Sequence, residues 1–459
     1  MDDFAYADFA TLQGQLQRGR GIGARRAPTI AGAAEMVYEC VIADSRWDRQ
    51  TEQRDAYLAR LIHRLDLPLA PIEHHLSSEN DADAIETALR VLALLPLVGR
   101  ADAAGVIRRY AVEGRHWSAA VEAIDLTGSP AFPQVWAGLD QDVVDAHDDA
   151  ELAAHAGVWE PWTTWGRTQP RLRRLLDEIR VPGRSARPPL PDYTGAGTAQ
   201  LAGYVTTTTG RERRLVLEEL GRRGEVILLD LAEDPSLRNP AGWTPGMARA
   251  LHQFGAAAVT RARTWVGSGD DALQDLAVGV LSRFGDRGDA PYLLTTLTTL
   301  LDAGAWCAAE TPARGLGRLH IPSATAPLIH AWQTTPHSMA REAFLAGIQG
   351  CAPDAAPQYA EEGLDDCEPS VQQTACTTVP DTTYVHARLA ELSQDPLTPD
   401  SHEAAHYGLT RLSQGSRPVV AALRDFGVRD QVVDLNIFQS LDVVGGRTWP
   451  SRALTCSST

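Results

Sequence analysis

The sharpest chemical pattern in the sequence is His402-Glu403-Ala404-Ala405-His406. On a helix, histidines four residues apart share a face, so both imidazoles can reach one divalent metal while the glutamate serves as general base for its bound water. That chemistry would make the chain a metal-dependent hydrolase or oxygenase. No glutamate follows Glu403, so a third ligand downstream would have to be an aspartate such as Asp425. Against this stands the packing of the helix itself. His402, Ala405, His406, Leu409 and Leu412 lie on the stripe that should face a neighbouring helix, and core histidines need no metal. The expectation is a chain without a cofactor.

A second pattern places Trp159, Trp162 and Trp165 within seven residues, with Arg171, Arg173 and Arg174 following. Aromatic rings beside guanidinium groups can hold a planar ligand or a base turned out of a duplex. In that reading Glu160 stabilises positive charge on a damaged base and the arginines meet phosphates, which describes a DNA glycosylase. The structural alternative is that the tryptophans cap one end of a helical layer. Other catalytic signatures are missing. There is no Gly-rich phosphate loop and no G-x-S-x-G elbow. The six cysteines (Cys40, Cys307, Cys351, Cys367, Cys376 and Cys456) form no C-x-x-C pair, which points to reduced thiols. His74-His75 and His147-Asp148 read as solvated.

The elements that must position these residues are helices in a repeating order. Apolar residues recur at helical spacing in Leu276, Val280, Leu281 and Phe284, and again after a turn in Leu293, Leu294 and Leu297. The inward pair Leu281/Phe284 has counterparts at Leu217/Leu220, Leu251/Phe254, Leu316/Leu319, Ile348/Cys351, Cys376/Val379 and Leu409/Leu412. This is a period of about 30 to 35 residues, the range of helical solenoids. Pro291, Pro327, Pro357 and Pro418 open second helices, where a missing N–H is harmless. With the acidic turns Asp270-Asp271, Asp365-Asp366 and Asp400, these repeats resemble the HEAT family, in particular the short HEAT-like repeats of phycobilin lyases. The likeness covers 218–424 well and 82–140 less well. It implies an all-α fold, an α-solenoid of antiparallel helix pairs with a concave groove. Residues His402-Glu403 are also similar to the His-Glu pairs of HEAT-repeat di-iron hydroxylases, but the equivalent repeat position carries Val371-Gln372, which cannot ligate iron.

Around the repeats, 1–180 reads as an N-terminal helical region with irregular repeats, its first 30 residues a loosely held Gly/Arg-rich segment. The stretch DSRWDRQTEQRD reads as a solvated helix start with Trp47 as a staple. Residues 181–198 form a Pro/Gly-rich linker, 199–430 the regular repeats and 431–459 a tail outside the pattern. The net charge is -17, and all 42 basic residues are arginine. An acidic chain lacks the positive face that phosphate contacts require, so nucleic acid is an improbable partner. No apolar run has the roughly 20 residues of a membrane span, and the acidic N-terminus does not read as a signal segment, which leads us to expect a cytoplasmic protein. The function expected from the repeats is non-enzymatic binding of a protein or peptide along the concave face.

Overall fold

The computed structural model describes residues 5–49, 51–125, 135–179 and 191–414. Among these, every regular element is an α- or 3-10 helix and no strand occurs. Most of the 181–198 stretch and all of 431–459 lie outside the described residues, as do Pro418 and Asp425. No helix among the described residues is long and apolar enough to cross a membrane.

Several helices start where the sequence supplies a partner for the free N–H groups of the first turn. Asp270 accepts from the backbone of Ala272 and Leu273 at the head of Asp271–Phe284. Asp286 and Asp289 cap reciprocally before Ala290–Asp302, whose second residue is Pro291. Pro357 likewise falls in the first turn of Ala356–Gly363. Of the residue pairs that the repeat pattern turns inward, Leu217, Leu220, Leu316, Ile348 and Cys376 are fully buried and Leu251, Leu281 and Val379 nearly so, whereas Phe284, Leu409 and Leu412 are only partly buried.

Helices then pack in two ways at once. Neighbours in sequence form pairs: Ala290–Asp302 with Trp306–Arg318, Thr325–Thr334 with Ala340–Cys351, Ala356–Gly363 with Pro369–Cys376, and Thr383–Leu392 with His402–Ser413. Alternate helices also stack, so that Trp306–Arg318, Ala340–Cys351, Pro369–Cys376 and His402–Ser413 form one row. The closest approach in that row is between glycines. A Cβ on Gly350 would stand 2.1 Å from the carbonyl oxygen of Gly317, a distance at which only hydrogen fits.

The described residues fall into two compact units that do not follow chain order. One comprises those of Met1–Pro188 together with Asp286–Arg417, and the other those of Pro189–Gly285. The second unit repeats the same scheme, with Gly210–Arg223, Met247–Phe254 and Asp271–Phe284 in a row.

The first unit corrects the expectation of a loosely held N-terminus. Residues Leu12–Gln17 and Gly21–Arg26 are helices, and Leu12, Leu16, Ala24 and Ala27 are buried. The glycines are what admit this segment to the interior. Gly19 adopts φ +65° beside the Cys367 side chain, and a Cβ on Gly21 would lie 1.9 Å from the Glu362 carbonyl oxygen. The charge-dense stretch after Asp44 is not solvated throughout either: Ser45, Arg46, Glu52 and Arg54 are buried, while Trp47, Arg49 and Gln53 are exposed. Arg46 is held by Asp44 two residues before it, whereas Arg18, Arg20 and Arg54 also draw on carboxylates and carbonyls some 300 positions away, a supply that local pattern does not reveal.

Candidate functional site

The largest concentration of buried charge in the first unit forms where the N-terminal segment meets the helix ends of 333–395. Helix Thr325–Thr334 ends in carbonyls without intrahelical donors, and it concentrates negative potential there. Arg18 Nε donates to the Thr334 carbonyl at 3.1 Å and Arg20 Nη1 to that of Gln333 at 3.2 Å. Arg54 Nη2 reaches the Pro336 carbonyl at 3.2 Å. Three guanidinium groups from the N-terminal region thus cap one helix end.

The next turn, 361–368, contributes carboxylates. Arg20 Nε donates to Glu362 Oε1 at 3.0 Å, and the Trp332 indole N–H donates to Glu362 Oε2 at 3.2 Å. Arg25 pairs with Glu361 at 2.6 Å and lies over the Tyr384 ring at 4.3 Å. Arg341, with no exposed surface, grips Asp366 with two bonds of 2.8 Å and donates its remaining arm to the Arg18 carbonyl at 2.9 Å. The Cys367 N–H donates to the Gly19 carbonyl at 3.0 Å, fixing backbone to backbone. Arg60 and Asp395 extend the network at 2.6 Å.

Glu52 is the hub of the outer part. Its Oε1 accepts from His337 Nδ1 at 2.9 Å and from the Ser338 N–H at 2.8 Å. Its Oε2 accepts from the Trp47 N–H and from Arg54 Nη2, each at 3.0 Å. Burial alone would raise its pKa, but Arg54 and the His337 bond hold it below the ordinary carboxylate value. Glu368, fully enclosed nearby, goes the other way. Burial raises it to about 7, although the Ser338 hydroxyl and Gln53 N–H both donate to it, and the charge of Glu52 adds to the rise. Two carboxylates a few residues apart in space are thereby held in different protonation states by unequal access to arginine.

The residues singled out from sequence lie elsewhere. Trp162 and Trp165 are core residues, meeting edge to face at 5.7 Å, and Trp162 meets Trp117 at 6.0 Å. Trp159 alone of the three leaves its ring substantially exposed. Glu160 accepts from Thr163 and Thr164 as a helix-start cap, and those bonds lower its pKa. Arg171 and Arg174 both bind Asp149, Arg171 also donates to the His147 carbonyl at 2.8 Å, and Arg173 donates to the Gly166 carbonyl at 3.0 Å. Arg173 and Arg174 also line a shallow depression with Pro170, Asp177 and Glu178. His147 is buried, stacked on Trp117 at 3.9 Å with Nε2 on the Ala111 carbonyl, because a flat ring was available to cover it; the solvated reading was wrong for this residue.

In His402–Ser413 the buried residues are Ala405 and Gly408, while His406 is exposed. The inward stripe is therefore rotated from the expected one, since Gly408 lets the Leu389 side chain and Cys376 carbonyl approach. His402 Nε2 is engaged by the Asp395 carbonyl at 2.9 Å. Among the described residues, no group of three or more His, Cys, Asp or Glu side chains is disposed to hold a metal ion.

No protein-family model, curated protein or solved structure matches this chain. Its chemistry is therefore read from its own side chains. The sequence left a trace of the buried network in its densest charge runs, RGRGIGARR, DSRWDRQTEQRD and LDDCEPS, each interleaved with Gly, Trp or Cys. What it lacked was any mark of which run meets which.

Proposed function

We propose that the chain is a HEAT-like α-solenoid that binds a basic segment of a protein or peptide partner. One observation carries this reading: the helix ends of 333–395 already receive an arginine-bearing segment, the chain's own residues 18–64, through carboxylates and terminal carbonyls. Arginine fits them because its planar fork can serve a carboxylate and a carbonyl together. The net charge of -17 leaves carboxylates in excess over guanidinium groups, which favours a basic partner.

The arginines that a glycosylase would direct at phosphates are engaged within the protein. Arg171 and Arg174 share Asp149, and Arg213 donates to the carbonyls of Thr208 and Leu237. Titration of the full chain with a labelled arginine-rich peptide, an acidic peptide of equal length and a DNA duplex separates the readings. The basic peptide should bind with an affinity that falls as salt rises, and the other two should not. Retention of the duplex at physiological salt, with no binding of the basic peptide, would overturn the proposal.

A further inference from the structure

Independently of partner binding, we propose that Glu52 and Glu368, joined through Ser338, form a pH-sensitive latch that holds Glu52-Gln53 against Ser338 and Glu368 in acid and loosens them as the pH rises.

The latch is reciprocal. The Ser338 N–H donates to Glu52 Oε1 at 2.8 Å, and in return the Gln53 N–H donates to Glu368 Oε1 at 3.1 Å. Each carboxyl thus takes a backbone N–H from a segment some 300 positions away. Ser338, completely buried, serves both carboxyls at once, because its hydroxyl donates to the same Glu368 oxygen. Cys367 Sγ stands 3.7 Å from that oxygen. Both carboxyl groups are nearly enclosed, so water supplies little of their solvation.

Cations are divided unequally between them. Glu52 bonds to the Arg54 guanidinium at 3.0 Å and to His337 Nδ1 at 2.9 Å. The donors at Glu368 are neutral: a hydroxyl, an amide and a thiol. Arg341 is spent on Asp366, through two bonds of 2.8 Å, and on the Arg18 carbonyl. The titratable and charged groups around the pair are Tyr6 and Arg54 on the N-terminal side, His337 and Arg341 beside Ser338, and Asp366 and Cys367 on the turn that carries Glu368. Two carboxylates on either side of one serine repel, so the closed pair keeps one negative charge, on Glu52, and one proton, on Glu368. Burial and the Glu52 charge accordingly raise Glu368 to about 7.

The sign of the response follows. Once released to water, the Glu368 carboxyl returns to its ordinary value of 4.5, so it holds a proton more tightly in the closed latch than in the open one. Closure is favoured fully below pH 4.5, is weakened as pH rises toward 7, and levels off above 7 as the closed carboxyl itself gives its proton to water. Between pH 6 and pH 8 the equilibrium for opening should rise by about 10-fold.

Amide exchange on the full chain, corrected for the intrinsic dependence of exchange on pH, tests this. Exchange at the Gln53 and Ser338 amides should rise by about 10-fold between pH 6 and pH 8, with Asp271–Phe284 of the other compact unit unchanged as the reference. Glu368→Gln, which stands in for the protonated acid, should keep both amides protected at either pH. Ser338→Ala removes a donor that favours the ionised form, so it should move the levelling-off to higher pH; Glu52→Gln removes the neighbouring charge and should move it lower. These opposite shifts decide the matter if Glu368→Gln does not fold. Wild-type exchange at Gln53 and Ser338 that does not change between pH 6 and pH 8, or the same rise in Glu368→Gln, would overturn the proposal.

Discussion

At the scale of single residues, the junction shows how a buried group's environment sets its protonation. Glu368 is held at about 7 against an ordinary 4.5, because its burial is not offset by a bonded arginine. A carboxyl that keeps its proton more tightly when folded stabilises the fold fully below pH 4.5, and that contribution is lost as pH rises through 7. Glu368→Gln should remove this dependence and make the protein more stable than wild type above pH 7, by roughly 3 kcal/mol at most. Urea unfolding at pH 5 and pH 8 measures it; an unchanged difference between the two pH values would exclude the effect. Arg341 and Asp366 are the opposite case, a paired buried ion pair whose worth lies in both members being present. Arg341→Met should destabilise by about 3–5 kcal/mol, and adding Asp366→Leu should recover part of that loss. A double variant no better than the single one would show that the surrounding carbonyls, and not the orphaned carboxylate, dominate.

At the scale of elements, two close backbone approaches set the geometry. Helices Trp306–Arg318 and Ala340–Cys351 meet at Gly317 and Gly350, where an added methyl would fall 2.1 Å from a carbonyl oxygen. Gly350→Ala should therefore force the helices apart at about 1–3 kcal/mol, read as a lowered thermal midpoint. The tryptophan cluster makes a different prediction. Trp162 is fully buried, so Trp162→Ala should destabilise by about 3–5 kcal/mol, whereas Trp159→Ala, on a half-exposed ring, should change stability little. Equal effects on thermal unfolding would mean that the two rings share one environment in solution.

At the scale of the whole molecule, the first unit joins segments far apart in the chain. Residues 18–64 hold the helix ends of 333–395, so the two must lose protection together. Removing residues 1–26 should accelerate amide exchange in Ala340–Cys351 and Pro369–Cys376, more than 300 positions downstream, by stripping Arg341, Glu362 and the 333–334 carbonyls of their partners. Exchange mass spectrometry checks this, and unchanged protection of those two helices would show that the repeats hold themselves.

The sequence alone determined that the chain is helical, with its helices packed in pairs. Leu281, Leu316, Ile348 and Cys376 are spaced by helical geometry and by the length of one helix pair, both local quantities that survive in a linear string. It also carried the caps, because Asp270 and Asp286 act within three residues of themselves. Tertiary structure decided which charges are buried. Arg18, Glu52 and His337 look like surface residues in the string, since each is strongly polar and none sits in an apolar stripe. Their burial is permitted only because Thr334 meets Arg18, and Ser338 and His337 meet Glu52, across some 300 residues. The physical reason is that helical period is encoded by neighbours, whereas the desolvation of a charge is tolerated or refused by its partners, and a partner's distance along the chain leaves no periodic mark.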